Sequence, residues 1–167
     1  MRSFFVSDRQ ASSRSHNPVL LSFGGNLGEV AETFRTALLK LERGGFRTLR
    51  ESALFHSKAM GCEEGAPDFL NRSVLGIWEG EALDLLNLLQ RIEVEAGRPA
   101  DHPHWVSRPL DIDIVLMGDT VIRSPRLTVP HPELSKRDFV LVPSAEIASE
   151  MIVPGPNRSL HDLLNFH

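Results

Sequence analysis

Residues 107–116 read S-R-P-L-D-I-D-I-V-L, and two aspartates alternate there with branched aliphatics. Alternation is the period of a strand, because successive side chains of an extended backbone leave on opposite faces. Asp111–Met117 is therefore expected to be a strand with Asp111 and Asp113 on one face, and Ile112 and Ile114 on the other. Working outward, this strand closes a series. Residues 19–23 (V-L-L-S-F) read as a short buried strand ended by Gly24-Gly25-Asn26. From about residue 28 to 43, Val30, Phe34, Ala37, Leu38 and Leu41 recur at helical spacing. Gly44-Gly45 is a stop, since glycine accepts the left-handed conformation past a helix end. Residues 46–57 and Phe69–Trp78 read as strands on either side of a breaker-rich loop over residues 58–67. Leu85, Leu89, Ile92 and Ala96 mark a helix over residues 81–96, ended by Gly97. The order is βαββαβ. It predicts an α+β fold, a ferredoxin-like α/β/α sandwich around a mostly antiparallel sheet.

Beyond that core, Gly118-Asp119 signals a hairpin returning through Val121 and Ile122. An extended stretch follows over residues 127–132, then a short helix within residues 139–149 and an amphipathic one over roughly 159–165. Residues 1–17 are polar and Ser/Arg-rich, and are expected to form a flexible arm. Residues 18–167 are then a single domain, long enough to bury a core of its own.

The formal net charge of −4 argues against nucleic acid as a partner, whose footprint is a basic domain. Charges of both signs are interspersed, so any anion must be caught locally. One cysteine, Cys62, allows no internal disulfide, and the first residues lack the apolar segment of a signal peptide. No run approaches the ~18 apolar residues of a membrane span. No membrane partner and a cytoplasmic location are the expectations.

Carboxylates inside an aliphatic strand are costly unless something positive meets them. Positions two apart on a strand lie about 6.6 Å apart, so Asp111 and Asp113 can converge on a hard cation or flank two. Magnesium suits them, because it takes one or two protein carboxylates and completes its octahedron with water and phosphate. A pair of such ions is a known clamp on displacement at phosphorus. The bare D-x-D spacing equally describes a solvated strand face with Arg108 as ion-pair partner, and the surrounding motifs decide between them. A Walker-type G-x-x-x-x-G-K-[ST] is absent, which excludes a P-loop kinase.

With its surroundings, the stretch resembles the signature P-R-T-L-D-L-D-I-L of the 6-hydroxymethyl-7,8-dihydropterin pyrophosphokinases of folate synthesis. The likeness runs from about residue 20 to 154. It takes in G-G-N-L-G over residues 24–28 for the family's G-S-N-L-G, D-F-L-N over 68–71, Q-R-I-E over 90–93 with Gly97-Arg98, and Trp105. It continues through R-L-T-V-P-H-P over 126–132, R-x-F-V-L over 137–141 and E-I-A over 146–148. The resemblance implies transfer of pyrophosphate from ATP to the hydroxymethyl group of the pterin, with release of AMP and dependence on two Mg2+ ions. The substrates are then small molecules, with other folate-pathway enzymes as partners.

By the same resemblance Asp111 and Asp113 hold the metal, while Arg98 and Arg108 contact the phosphates with their planar forks. Glu93, Ile114, Arg126, Thr128, His131 and Arg137 match nucleotide positions, with Ile114 lining the adenine pocket and Glu93 on an exposed helix face. Trp105 helps to close the site. Phe69 and Asn71 share a strand face, where a ring can stack on the bicycle and an amide can meet its edge. Phe139 is the opposing ring, and Ser57 and Asn26 lie beside the pterin.

Some positions depart from the family pattern. Where it carries further basic residues after Gly97-Arg98, this chain has P-A-D-H-P over residues 99–103. Ala100 and Asp101 cannot pair with phosphate, and His102 or His104 could only when protonated. His102-x-His104 alone makes a weak zinc site. The region usually reading T-x-P-x-G is S-K-A-M-G over residues 57–61, and Ser107 and Pro109 replace a Pro and a Thr. The alternative these changes raise is a catalytically weakened member acting as a pterin- or nucleotide-binding module.

Overall fold

A computed structural model of the chain describes residues 16–97 and 106–167. Its main sheet holds β1 (Asn17–Gly25), β2 (Arg47–Glu51), β3 (Phe55–Ser57), β4 (Phe69–Trp78) and β5 (Asp111–Met117). The order is β2-β4-β1-β5, with β3 also paired to β4, and every pairing is antiparallel. Taking β2 and β3 as one interrupted strand, this is the expected βαββαβ sheet with the first strand central and the aspartate strand at an edge.

The two faces are covered separately. β1 sends Val19, Leu21 and Phe23 into one core, where Val30, Phe34, Ala37 and Leu41 of α1 (Val30–Arg43) meet Leu85, Leu88, Leu89 and Ile92 of α2 (Ala82–Glu95). Leu20 points the other way, into a second core with Val140, Leu141 and Ala145 of α3 (Asp138–Ala148) and Leu160 of α4 (Leu160–Asn165). Each such aliphatic or aromatic side chain contributes roughly 1.5–3 kcal/mol by leaving water. The helical spacing seen in the sequence selects these faces. Both helices stop where expected, with Gly45 at φ 107° and Gly97 at φ 102°.

Three expectations need correction. Residues 46–57 are two strands, because Ser52 takes over the ladder. Its amide donates to Ser73 O at 2.9 Å and its Oγ accepts from Ser73 N at 2.9 Å, which turns the chain before β3. The return through Val121 and Ile122 does not pair with β5. Instead β6 (Ile122–Arg123) pairs with β7 (Thr128–Val129), because the free edge of β5 is already engaged by other groups. The helix expected within residues 139–149 begins one residue earlier and fills 11 residues as α3. A second ribbon, β8 (Ile152–Val153) with β9 (Arg158–Ser159), leads into α4. Of the expected arm, residues 1–15 lie outside the described residues, while Asn17 already opens β1.

β5 also carries a bulge against β1, with Leu20 opposite Leu116 but Leu21 opposite Ile114. The extra residue, Val115, lets Ile112 and Ile114 fill the first core while Val115 and Leu116 both fill the second. No described helix is long and apolar enough to cross a membrane.

Candidate active site

The face of the sheet turned toward α3 builds the site row by row. Strand register places Phe55, Asn71, Gly24 and Asp111 in one line across β3, β4, β1 and β5. The next line is Ser73, Ser22 and Asp113. Glycine and serine at the centre keep the floor low between the amide on one side and the carboxylates on the other. Above it lies a cavity of about 510 Å³, lined also by Ser57, Phe69, Arg108, Arg137 and Phe139. The sequence-derived catalytic pair, both stacking rings and both polar pterin groups on β3 and β4 therefore open onto one space.

Each aspartate meets a cation or an N–H, which answers how the strand tolerates them. Arg108 Nη2 lies 3.2 Å from Asp111 Oδ2, and His131 Nε2 lies 3.6 Å from Asp113 Oδ2. The other imidazole nitrogen, Nδ1, accepts from Glu133 N at 3.1 Å, so in the neutral ring the proton sits on Nε2, facing the carboxylate. Arg108 also donates to Val106 O at 3.1 Å, and its guanidinium covers the ring of Phe69 at 5.2 Å. Arg137 covers Phe139 in the same way at 5.7 Å. Arg108 thereby links the acidic end of the cavity to the aromatic end.

Asn71, only 3% exposed, donates through its amide nitrogen to Ser57 Oγ at 2.8 Å and to Phe55 O at 3.2 Å. Both amide hydrogens are engaged within the protein, so its carbonyl oxygen is the atom it can offer to a ligand. The expectation of a donor as well as an acceptor is corrected accordingly.

Other sequence-derived residues sit elsewhere. Asn26 does not line the cavity. It is buried at 4% exposure: its backbone N–H donates to Arg108 O, its side-chain Oδ1 accepts from Arg108 N at 2.8 Å, and its Nδ2 donates to Pro67 O and Ser107 Oγ, each at 3.0 Å, so it clips three loops together. Glu93 is not on an exposed face but 8% exposed, its Oε1 accepting from Ile112 N at 2.6 Å. Ile114 is core rather than cavity wall. Arg126 reaches α2, donating to Asn87 Oδ1 at 2.7 Å and Gln90 Oε1 at 3.3 Å. Thr128 and His131 line a second cleft of about 410 Å³ with Pro130 and Val153. Apart from Arg137 on the wall of the first cavity, the described nucleotide positions are thus spread around β5 rather than gathered in one cavity. Arg98, Trp105 and the His102-x-His104 pair lie outside the described residues.

The sequence reading missed Phe55, Asp138 and His167 on the cavity wall. Phe55 carried a signal, since it stands two residues before Ser57 and shares its face. His167 carried none. Packing of α4 on α3 brings it within 2.5 Å of Asp138 Oδ1, a contact with no local pattern in the chain. At the mouth, hydrogen bonding from Ser107 holds the Glu63 carboxyl below its ordinary value, tying the loop after β3 to the approach of β5.

The donor set fits magnesium. Two partly exposed carboxylates share one face beside a cavity, and among the described residues no group of three His, Cys, Asp or Glu could hold a metal by itself. Magnesium asks for few protein oxygens and leaves the rest to water and phosphate.

The chain is similar to known proteins in sequence and in fold. A family model described as 7,8-dihydro-6-hydroxymethylpterin-pyrophosphokinase matches residues 20–149. A Pseudomonas aeruginosa protein named 2-amino-4-hydroxy-6-hydroxymethyldihydropteridine pyrophosphokinase is 38% identical over 147 residues, covering 87% of this chain and 89% of that protein. The mitochondrial folate synthesis bifunctional protein of Arabidopsis thaliana is 34% identical over 143 residues, which are 86% of this chain but 25% of that one. A crystal structure of Plasmodium falciparum HPPK-DHPS with pterin and p-hydroxybenzoate superposes with a TM-score of 0.71 over 93% of this chain and 44% of that one. At 14% identity it speaks for the fold alone.

Proposed function

The chain belongs to the 7,8-dihydro-6-hydroxymethylpterin-pyrophosphokinase family, and from that premise we propose how its own residues carry out the reaction. It is a transferase of folate biosynthesis that moves pyrophosphate from ATP to 6-hydroxymethyl-7,8-dihydropterin. The hydroxymethyl oxygen forms a bond to the β-phosphorus, the bond from that phosphorus to AMP breaks, and the hydroxyl proton is lost. Chemistry of this kind depends on positioning and on neutralising phosphate charge.

Asp111 and Asp113 would hold two Mg2+ ions, which neutralise triphosphate charge when bound. Arg108 supplies a fixed fork to the phosphate oxygens, and its contacts with Asp111 and Phe69 aim it along the cavity. Arg98, outside the described residues, would add a second phosphate contact by the family resemblance. His131 offers an N–H beside Asp113 to a phosphate oxygen. Phe69 and Phe139 would take the pterin between them, with the Asn71 carbonyl oxygen and Ser57 on its edge. Arg126 and Thr128, on the hairpin beyond β5, and Arg137, on the cavity wall, would meet the nucleotide. The supporting observation is the cross-strand row in which Phe55 and Asn71 stand opposite Asp111 across the glycine floor. It supports the reading because the ring and the amide stand a strand or two from the carboxylate.

An assay of AMP release with ATP, Mg2+ and the hydroxymethyldihydropterin tests the reading. Steady release dependent on all three is expected. Tight pterin binding without AMP would instead make the chain a binding module. We place the chain in the cytoplasm, with other folate-pathway enzymes as partners; relatives whose names join folate functions in one chain support the partners.

A further inference from the structure

β5 is an outer strand, so among the described residues no neighbouring strand pairs with its backbone along its second edge. Two groups from outside the sheet meet that edge. His131 N donates to Val115 O at 2.9 Å, and Glu93 Oε1 accepts from Ile112 N at 2.6 Å. The second contact falls on the peptide group that joins Asp111 to Ile112, between the two aspartates. It comes from α2, on the opposite face of the sheet from the cavity, and from a carboxylate that is 8% exposed.

Burying a carboxylate costs free energy that a neutral side chain of the same size would not incur. What the charge adds is a shorter and stronger bond to an N–H, about twice that of a neutral acceptor. Ile112 itself is locked in the first core. Its amide is fixed from the edge, its side chain from below, and the flanking Cβ directions of Asp111 and Asp113 follow from that peptide geometry. A small rotation here would swing both carboxylates together.

We propose that Glu93 is a positioning residue for the metal-binding pair, acting through the Ile112 N–H rather than by touching the nucleotide. Asn87 and Gln90, six and three positions earlier on the same helix, grip Arg126. One stripe of α2 thus sets both β5 and the hairpin beside it. The proposal rests on Asp111 and Asp113 being the magnesium ligands.

The test is a titration of the folded protein with Mn2+, followed by electron paramagnetic resonance, beside steady-state kinetics and calorimetry of adenosine in EDTA. Glu93→Leu, and the unbranched Glu93→Met should the first not fold, remove the acceptor; Glu93→Gln keeps it. Outer-shell partners of metal ligands typically change metal affinity or activity by about 10–100-fold. Expected is a loss of that size in Mn2+ affinity and kcat for the acceptor-free variants, recovery of most of it in Glu93→Gln, and unchanged adenosine affinity throughout. Unchanged Mn2+ affinity without the acceptor overturns the positioning role. So does adenosine binding that falls in all variants alike. Asp113→Asn separates the two layers of the argument. If it keeps full Mn2+ affinity, the magnesium reading itself fails; if it loses affinity while Glu93→Leu does not, only the role of Glu93 fails.

Discussion

Asp113 and Asp111 differ in their settings although they stand on one face. Asp113 is 42% exposed at the side chain and Asp111 20%, and one is met by an imidazole where the other is met by a guanidinium. Both carry the proposed metal chemistry, so Asp111→Ala or Asp113→Ala should lower AMP release by at least about a hundredfold, the size of effect seen when a charge-stabilising group is removed. Circular dichroism should remain that of the parent, since neither side chain belongs to a core. The opposite experiment concerns Ala100, in the stretch where the family resemblance leads to the expectation of further basic residues. If charge is deficient there, Ala100→Arg should raise kcat by about tenfold, the worth of one charge-assisted contact of roughly 1.5 kcal/mol. An unchanged kcat would show that phosphate charge is already met by Arg108 and its neighbours.

At the scale of elements, two glycines in one sheet should fail in different ways. A Cβ on Gly76 of β4 would stand 2.3 Å from the Phe46 ring and 2.5 Å from Arg47 O. Gly76→Ala should cost about 1–3 kcal/mol by overpacking, read in a denaturant melt, while residual folded enzyme keeps its KM for pterin. Gly24 lies under the cavity, where a Cβ would meet only Asn71 Oδ1 at 3.4 Å. Gly24→Leu should leave the melt nearly unchanged and raise the pterin KM, because the side chain fills the floor. The loop after β3 gives a pH-dependent case. The carboxyl of Glu63 titrates below its ordinary value of 4.5, so its contribution is present above that value and lost as pH falls through the lowered one. A difference in Tm between the parent and Glu63→Gln should therefore be visible at neutral pH and vanish in acid.

These elements also show what the chain discloses before folding. α1 and α2 were legible because each has a clean 3.6-residue period against one core, β4 because it is rich in β-forming residues, and β5 because Asp111 to Ile114 alternate before the bulge. The split of residues 46–57 was not, because Ser52 breaks the ladder through its own hydroxyl, a choice settled by Ser73 across the sheet. The partner of β6 depended on β5 being already covered, and so on Glu93 and His131. For the site, Asp111, Asp113, Phe69 and Asn71 announced themselves by i, i+2 spacing within a motif. Asn26 and Glu93 looked like ligand contacts in the same motifs, yet their polar atoms are engaged by backbone from distant segments, which one-dimensional spacing cannot reveal.

For the whole molecule, the cavity draws its walls from the chain around β1, from Phe55 to Cys62, from β4, from Arg108, Asp111 and Asp113, and from Lys136 to Phe139 with His167. No single hairpin or helix holds a usable part of it. A ligand bound there favours only the complete fold, so a pterin analogue at about a hundred times its Kd should add about 2.7 kcal/mol. For a chain of this size that is a Tm rise of about 5–10 °C in a thermal shift assay. With pterin alone the rise should survive in Asp111→Ala, whereas the rise with nucleotide and Mg2+ should disappear in that variant.

The covered border of β5 has one more consequence. Bare strand borders invite a second chain to add itself, the usual start of filaments and precipitates. Here a buried acid and a proline-flanked loop occupy the hydrogen-bonding positions at Ile112 and Val115. Copies of this protein cannot zip together sheet to sheet along that side without first surrendering the geometry of the carboxylates proposed to hold the metal, so crowding at high expression should be better tolerated there than a five-stranded sheet would otherwise allow.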